Sequence, residues 1–410
     1  MPIKADQLKD IVSLGLKHST EIEIQKIRHT NQKYSTTDSY TALLPTLDFS
    51  AGRNFSKDDS KNSTSISSSW NIWDNWQNIT NIKTGELAEE ISGIGTFIAK
   101  QDYILKVLEA YFSHQILLSD QIILESKKAQ AEWSLKHARE LVNSGEKTSL
   151  DALDAEIEMD KIKREEIDLN NKLTRSLRAL NNLVGPKQEL SIQKEEIVKM
   201  RPYYLDKFEK IKGSLSNFRD GKLLDDDKKI IKSSKELNKS RLELDQTKLD
   251  HWPKLKATAG YTWSGDEYVE GNVDKPGIKG APTASIGLAW DLWHWNSIDR
   301  KILRAANNFK ISEIELEKLR RDRIQELTDL IEKFQIAEKT ISASDKILRK
   351  AELKYKKSKE MYNLGQRTLF DLQRSSSDLA NTKKDYASRL KDQYINISKI
   401  LVICGQDISP

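Results

Sequence analysis

The stretch LVNSGEKTSLDALDAE, Leu141 to Glu156, has a second copy in MYNLGQRTLFDLQRSS, Met361 to Ser376. Gly145, Thr148 and Asp151 in the first match Gly365, Thr368 and Asp371 in the second, 220 residues further on. The offset holds again at Gly185, which closes NNLVG, and Gly405, which closes LVICG. Solenoid units repeat every ~20–50 residues, so a period this long marks a duplicated half. Whatever the chain does is therefore built from both halves.

Working outward, each copy is a helix stop followed by a helix start. Asn143-Ser144-Gly145 ends a helical pattern over 84–142, and Thr148 or Ser149 caps the next, 148–184, which stops at Gly185-Pro186. In the second copy the helical patterns cover 296–361 and 368–403. Before each long helix lies a Pro-led segment that alternates. In 45–74, Leu47, Phe49, Ala51 and Phe55 oppose Asp48, Ser50, Gly52 and Asn54, and Ile66, Trp70 and Ile72 oppose Ser65, Ser67, Ser69 and Asn71. In 253–293, Leu255, Ala257, Ala259, Tyr261 and Trp263 share one face, as do Ala284, Ile286, Leu288, Trp290 and Leu292. Period-two alternation around turn residues predicts two β-hairpins, each with one apolar and one polar face. A helical pattern leads into each, from about Ala5 to Gln32 and from about Lys228 to Leu249. The expected organisation is one repeat over 1–185, a connecting segment over 186–228, a second repeat over 229–405 and a tail over 406–410.

The longest helix carries Ile324, Leu327, Ile331, Phe334, Ile341, Leu348 and Tyr355 at heptad-like spacing, with Glu338, Asp345 and Glu352 interrupting the seam. At ~1.5 Å per residue such a helix spans ~100 Å. The composition agrees: charged residues are 31% of 410, with only 8 Pro and 17 Gly, which suits long helices. The net charge of +5 is spread among interleaved acids and bases, so no basic patch calls for nucleic acid. Cys404 is the only cysteine, which excludes disulfides and cysteine metal sites. No apolar run reaches the ~20 residues of a transmembrane helix. The start, MPIKADQLKD, lacks the apolar core of a signal peptide, so the chain is expected to be cytosolic or a form from which the signal has been removed.

Eight of the nine Trp lie in or beside the hairpins: Trp70, Trp73, Trp76, Trp252, Trp263, Trp290, Trp293 and Trp295; Trp133 alone is in a helix. Trp gathered at strand ends suits the aromatic belt of a membrane β-barrel, here Trp70, Trp73, Trp263, Trp290 and Trp293. The Ser, Thr, Asn and Gly of the opposite faces suit a water-filled lumen. A lipid-facing sheet has no free edge, so two hairpins need strands from further chains. The alternative is a small soluble sheet with a Trp core.

Nothing argues for catalysis. His18, His29, His114, His137, His251 and His294 are scattered, so no metal site is expected, and no phosphate-binding, dinucleotide or nucleophile-elbow motif appears. Asp225, Asp226 and Asp227 lack calcium-loop spacing and read as solvated charge at a helix N-terminus. No cofactor is expected.

With the doubled G-x-x-[ST]-x-x-D segment, the helix-ending glycines forty residues later and the Pro-led hairpins placed, essentially the whole chain resembles the TolC family of outer-membrane efflux and secretion channels. The resemblance implies a mainly α fold with membrane β: a homotrimer whose chains give four strands each to a 12-stranded barrel in outer-membrane lipid. Their helices would form a long α-helical barrel through the periplasm, ringed by an equatorial belt that includes 186–228. It implies a passive exit duct for efflux or type I secretion, opened by a periplasmic adaptor (a membrane fusion protein) coupled to an inner-membrane transporter or ABC ATPase. Family members carry a signal peptide, so a form with the signal removed is the reading the resemblance favours.

The copied turns correspond to the periplasmic tips, where adaptors dock, at Gly145, Thr148, Ser149, Gly365 and Thr368. The family's closing latch falls on Asp151, Tyr362 and Arg367, and all three residue types match. A carboxylate accepts a charge-assisted bond from a guanidinium and another from a phenol, so the trio is chemically apt. A neighbouring Thr of the family is Leu150 here. Of two Asp rings at the constriction, Asp371 keeps the first and Arg374 replaces the second; at i, i+3 the two are placed to pair. Apart from the resemblance, these residues read as a solvated charge cluster, and the rival for the chain as a whole is a soluble coiled-coil scaffold with a small sheet.

Overall fold

The computed structural model describes residues 7–55, 60–145, 148–185, 190, 192, 197, 201–215, 224–266, 279–290, 293, 295–364, 366–367 and 369–410. The fold is long helices with a small antiparallel sheet: α1 (Gln7–His18), α2 (Thr20–Thr41), β1 (Thr46–Phe55), β2 (Ser60–Trp73), α3 (Gln77–Asn143), α4 (Ser149–Val184), α5 (Leu205–Leu215), α6 (Lys228–Lys248), β3 (Lys254–Asp266), β4 (Lys279–Ala289), α7 (Ser297–Asn363) and α8 (Leu369–Ile403). Two compact units emerge, one of residues 26–96 and 229–320, the other of residues 1–25, 97–228 and 321–410. Each takes parts from both copies of the repeat.

The first unit holds the sheet, in the order β1-β2-β3-β4. Its register sets Phe49 beside Ile66, Ile66 beside Tyr261 and Tyr261 beside Pro282. Leu255 pairs with Leu288, and Ala257 with both Trp70 and Ile286. All four apolar sets therefore share one face. Leu47 is 77% exposed and Ile286 73%, an unusual fate for side chains this apolar. The opposite face is a hydroxyl ladder: Ser50 Oγ lies 2.7 Å from Ser65 Oγ, Thr46 Oγ1 2.9 Å from Ser69 Oγ, and Thr258 Oγ1 2.7 Å from Ser285 Oγ. A bulge between Asn71 and Trp73 sets Trp73 opposite Leu255. Strict alternation put Ile72 in that place; the extra residue of the bulge re-aims the chain end.

The strand-to-helix junctions are left-handed. Asn75 (φ 58°), Trp76 (φ 63°), Trp295 (φ 50°) and Asn296 (φ 57°) form two consecutive pairs at the 220-residue offset. Asparagine tolerates this conformation and tryptophan does not, so neighbouring bonds must hold it. Asn75 Nδ2 donates to Trp252 O at 2.8 Å, and Asn75 Oδ1 accepts from Trp73 Nε1 at 2.9 Å. The chain reverses within two residues and α3 begins at Gln77, where Asp74 Oδ2 accepts from the Asn78 amide at 2.8 Å. Sequence patterning started this helix near residue 84, because QNITNIKT is polar and β-branched.

In the second unit, α3 packs on α4 through Leu124, Ala131, Met159, Ile162 and Leu169. The seam of α7 has two rows. Leu327, Phe334 and Leu348 fall in one row at multiples of seven residues, and Leu330, Ser344 and Ser358 fall in the other, three residues further on; all six are buried, as is Ile331. Glu338, Asp345 and Glu352 therefore flank the seam rather than interrupt it, and Glu338 binds Lys212 Nζ at 2.8 Å. Ile324 is 44% exposed, and Arg323 takes the buried position beside it.

Arg323 overturns one sequence reading. Its Nε donates to Asp227 Oδ2 at 2.6 Å, and the two side chains are 7% and 1% exposed. Asp227 is thus buried and paired, not solvated charge; its partner lies on another helix, out of reach of local pattern. The Asp226 carbonyl occupies the space a Cβ would need at Gly405 (φ 72°), so that glycine is required twice, by conformation and by contact. The chain end is also docked. Ile408 is fully buried, Tyr203 Oη donates to its carbonyl at 2.9 Å, and Gln101 Nε2 donates to Asp407 Oδ1 at 2.7 Å.

Candidate functional site

Two regions carry the expected function, the helical turns of the copied segment and the Trp-flanked sheet. At the first turn, Gly145 is left-handed (φ 76°) and its amide donates to Val142 O at 3.1 Å. Space around its Cβ position is open, so conformation alone requires glycine there. At the second, the Gln366 amide donates to Met361 O at 2.8 Å, the bond that wraps a helix end back over its last turn. Thr148 stands immediately before α4, whose first residue is Ser149, in the capping position. Gly365 and Thr368 lie outside the described residues.

Of the expected latch, Tyr362 is 37% exposed at the end of α7 and Arg367 is exposed in the turn. Asp151 lies in the first turn of α4, and its side chain is outside the described residues. Asp371 is half-buried on α8 and Arg374 is exposed one turn later. Leu150 is 68% exposed, leaving an apolar side chain beside the latch position.

The Trp residues separate by level. Trp263 is half-buried at the far end of β3, its ring 4.7 Å from Tyr261. Trp70 lies opposite Ala257, six residues along that strand, or ~20 Å at ~3.3 Å per residue. Trp70, Trp73, Trp290 and Trp293 gather at the helix end of the sheet, 46%, 52%, 56% and 72% exposed. The two hairpins repeat one bond: Trp70 Nε1 donates to Leu43 O at 2.9 Å, and Trp290 Nε1 to His251 O at 3.1 Å. Each acceptor lies two residues before the hairpin's proline, Pro45 or Pro253. The paired indoles fasten both hairpin bases with their polar edges and leave their apolar bodies outside. Sequence reasoning found the clustering of these Trp residues and missed the bonds, whose acceptors are backbone atoms with no side-chain signature.

Among the described residues no cluster of His, Cys, Asp and Glu is placed to hold a metal, and no helix is long and apolar enough to cross a membrane. His114 is buried, which lowers its pKa and favours the neutral ring that bonds Ser176. Cys404 is 4% exposed, and burial pushes its thiol up to about 11, so it is an inert core residue.

The chain matches no curated protein by sequence. Its fold is similar to that of the CmeC outer membrane channel of Campylobacter jejuni, at a TM-score of 0.76 and 13% identity over 98% of this chain and 88% of that one. It is similar to the outer membrane protein VceC of Vibrio cholerae, at 0.75 and 12% over 98% and 97%. It is also similar to the MtrE outer membrane channel of Neisseria gonorrhoeae in its open state, at 0.71 and 14% over 98% and 90%. The sequence pattern of outer membrane efflux proteins matches twice, over 13–186 and 221–406, one match to each repeat. The chain belongs to the outer membrane efflux protein family.

Proposed function

We propose that three copies of this chain form a passive outer-membrane exit duct. The observation that carries this reading is the sheet. One face carries the apolar set, with Leu47, Phe49, Ile66, Ile286 and Leu288 exposed, the other is a ladder of hydroxyls, and β1 and β4 end the described sheet as edges. Lipid tolerates the first face and water the second, but an open edge in lipid leaves several backbone groups unpaired at several kcal/mol each. Closure with the strands of two further copies, 12 in all, removes both edges. The Trp-flanked band, ~20 Å between its two levels, suits the thickness of such a barrel.

The helices then serve as the periplasmic conduit, and the turns at Gly145 and Gly365 as the end where an adaptor docks. The adaptor, coupled to an inner-membrane transporter or ABC ATPase, supplies the bias toward the open state. Asp151, Tyr362 and Arg367 hold the tip closed, and Asp371 and Arg374 line the constriction. Because Arg374 sets a cation one turn from the Asp371 carboxylate, the ring is of mixed charge. Cargo passes by diffusion; no step of bond making belongs to this chain.

Extraction into detergent followed by mass measurement tests the assembly: a trimer is expected, and a monomer that stays soluble without detergent overturns it. In planar bilayers, Asp151→Ala and Arg367→Ser should each raise closed-state conductance. Unchanged conductance in both removes the latch.

A further inference from the structure

The register of the sheet fixes which charges share the face of the hydroxyl ladder. Thr46, Ser69, Thr258 and Ser285 stand in one row, and Asp48, Ser67, Gly260 and Thr283 in the next row away from the helices. One row nearer the helices, Asn71, Lys256 and Gly287 stand side by side. Lys254 lies on the same face, because residues two apart on a strand share a side. Among the described side chains of this face three are charged: Asp48, Lys254 and Lys256.

The two lysines gather at the helix end of the face. Lys256 is exposed, and its neighbours across the sheet, Asn71 and Gly287, bear no charge. Lys254 Nζ donates to Gln77 Oε1, a neutral amide, at 2.7 Å. Acids near this end are engaged elsewhere: Asp250 with Lys301, Asp299 with His251 at 3.6 Å, and Asp74 with the amide of Asn78 at 2.8 Å. Asp48 accepts from Thr46 Oγ1 at 3.1 Å and stands two rows from Lys256, or ~13 Å at ~3.3 Å per residue. The hydroxyls of the face both donate and accept, so they suit ions of either sign. The sign at the helix end is therefore set by the lysines.

We infer that Lys254 and Lys256 make the base of the barrel a cationic ring, which favours cargo bearing carboxylate or phosphate over cationic cargo. The inference rests on the closed barrel of three copies and adds the charge of what passes through it. Twelve strands ~4.8 Å apart and tilted ~40° enclose a backbone ring ~24 Å across. A four-carbon lysine stem reaches ~6 Å inward, which leaves the axis ~6 Å from each Lys256 ammonium. That is inside the ~8 Å screening length of physiological salt, so the Lys256 groups of three copies act together on any ion that crosses their row. The low-dielectric wall of the barrel focuses their field along the lumen.

Charged thiol reagents read that field in the full chain, reconstituted into lipid nanodiscs. They enter by the outer mouth of the barrel and need no opening of the tips. Thr283→Cys sets the probe on the hydroxyl face, two rows or ~13 Å from Lys256, and Cys404, 4% exposed, stays silent. The quantity measured is the labelling rate with an anionic methanethiosulfonate over that with a cationic one, divided by the same ratio in the unfolded chain. At 0.01 M salt it should be about threefold or more, and it should approach unity at 1 M, as the screening length shrinks from ~30 Å to ~3 Å. Lys256→Gln should bring the low-salt ratio down to about half, and Lys256→Glu should lower it again. A ratio at or below unity, or one that both substitutions leave unchanged, overturns the cationic ring. Ile286→Cys, on the apolar face, separates that failure from failure of the barrel, since lipid should shield it from both reagents. If Ile286→Cys reacts as fast as Thr283→Cys, the sheet encloses no lumen, and barrel and ring fall together.

Discussion

The sheet and the helical tips treat the duplication in opposite ways. At the sheet, sequence diverges and geometry is kept: Asn75-Trp76 in one copy and Trp295-Asn296 in the other both turn left-handed, and an indole from each hairpin bonds the carbonyl two residues before its proline. At the tips, the short motif is kept and its surroundings diverge: the first twelve residues of α4 hold five acids and no base, whereas those of α8 hold two acids and one base. A closed barrel wall asks the same job of every hairpin, so selection holds the backbone path. A gate needs unlike surfaces, so selection there separates the charges. Repetition supplies the frame, and departure from it supplies the working parts.

The buried Asp227–Arg323 pair sets the scale against which both can be broken. Arg323→Ala takes the guanidinium away from the buried Asp227 carboxylate, a loss of ~3–5 kcal/mol that thermal unfolding in detergent should show as the largest effect of any here. At the sheet end, Asn75→Ala removes the partners of Trp73 Nε1 and the Trp252 carbonyl and puts alanine at φ 58°, costing ~2–4 kcal/mol. Trp295→Ala, at the matching position but 78% exposed, should cost well under half of that by the same measurement. Equal losses at Asn75 and Trp295 would mean that the shared geometry, and not the bonds of one copy, holds the turn.

Charge gives the next smaller effect. The Asp407 carboxyl loses solvation on docking, but bonds from Ser409 and Gln101 and the nearby Lys100 charge outweigh that, so its pKa falls below the usual 3.8. A depressed carboxyl stabilises the fold above its unfolded value and loses that contribution as pH falls through its folded one. Protection of the Ile408 amide, which donates to Gln101 Oε1 at 2.9 Å, measured as exchange relative to the unstructured chain at the same pH, should therefore fall at acid pH in the native chain, and much less so in Asp407→Asn. Smallest of all, Gly145→Ala meets open space and only conformational strain, ~1 kcal/mol, whereas Gly405→Ala also meets the Asp226 backbone and should cost several times more. Similar midpoints for the two glycine variants would show that the second copy relaxes around the clash.

Much of this was legible from residue order alone. Strand faces declare themselves because side chains alternate, and the register kept every apolar position of Leu255 through Trp263 on one side. The seam of α7 was half legible. Its large row of Leu327, Phe334 and Leu348 stood out, while the row containing Ser344 and Ser358 did not, because serine carries no apolar signal even where close helix packing buries it. The Asp227–Arg323 pair was illegible: two charged residues 96 apart give no local pattern, and burial reverses their ordinary meaning. The docked chain end was equally silent, since Gln101 and Tyr203 bind it through contacts that only the fold brings together.

α3 and α7 are both 67 residues long. A single inserted residue in either would lift one tip by ~1.5 Å and swing everything beyond it by about 100° around the helix. Evolution therefore has no small step available in these rods. Lengthening must come in matched increments on both copies, close to whole numbers of turns, or be absorbed where the strands meet their loops. The second hairpin is the one that has grown, with 38 residues from Pro253 to Trp290 against 26 from Pro45 to Trp70. Drift in length has gone to the hairpins, which tolerate it, and the twin rods have stayed in step.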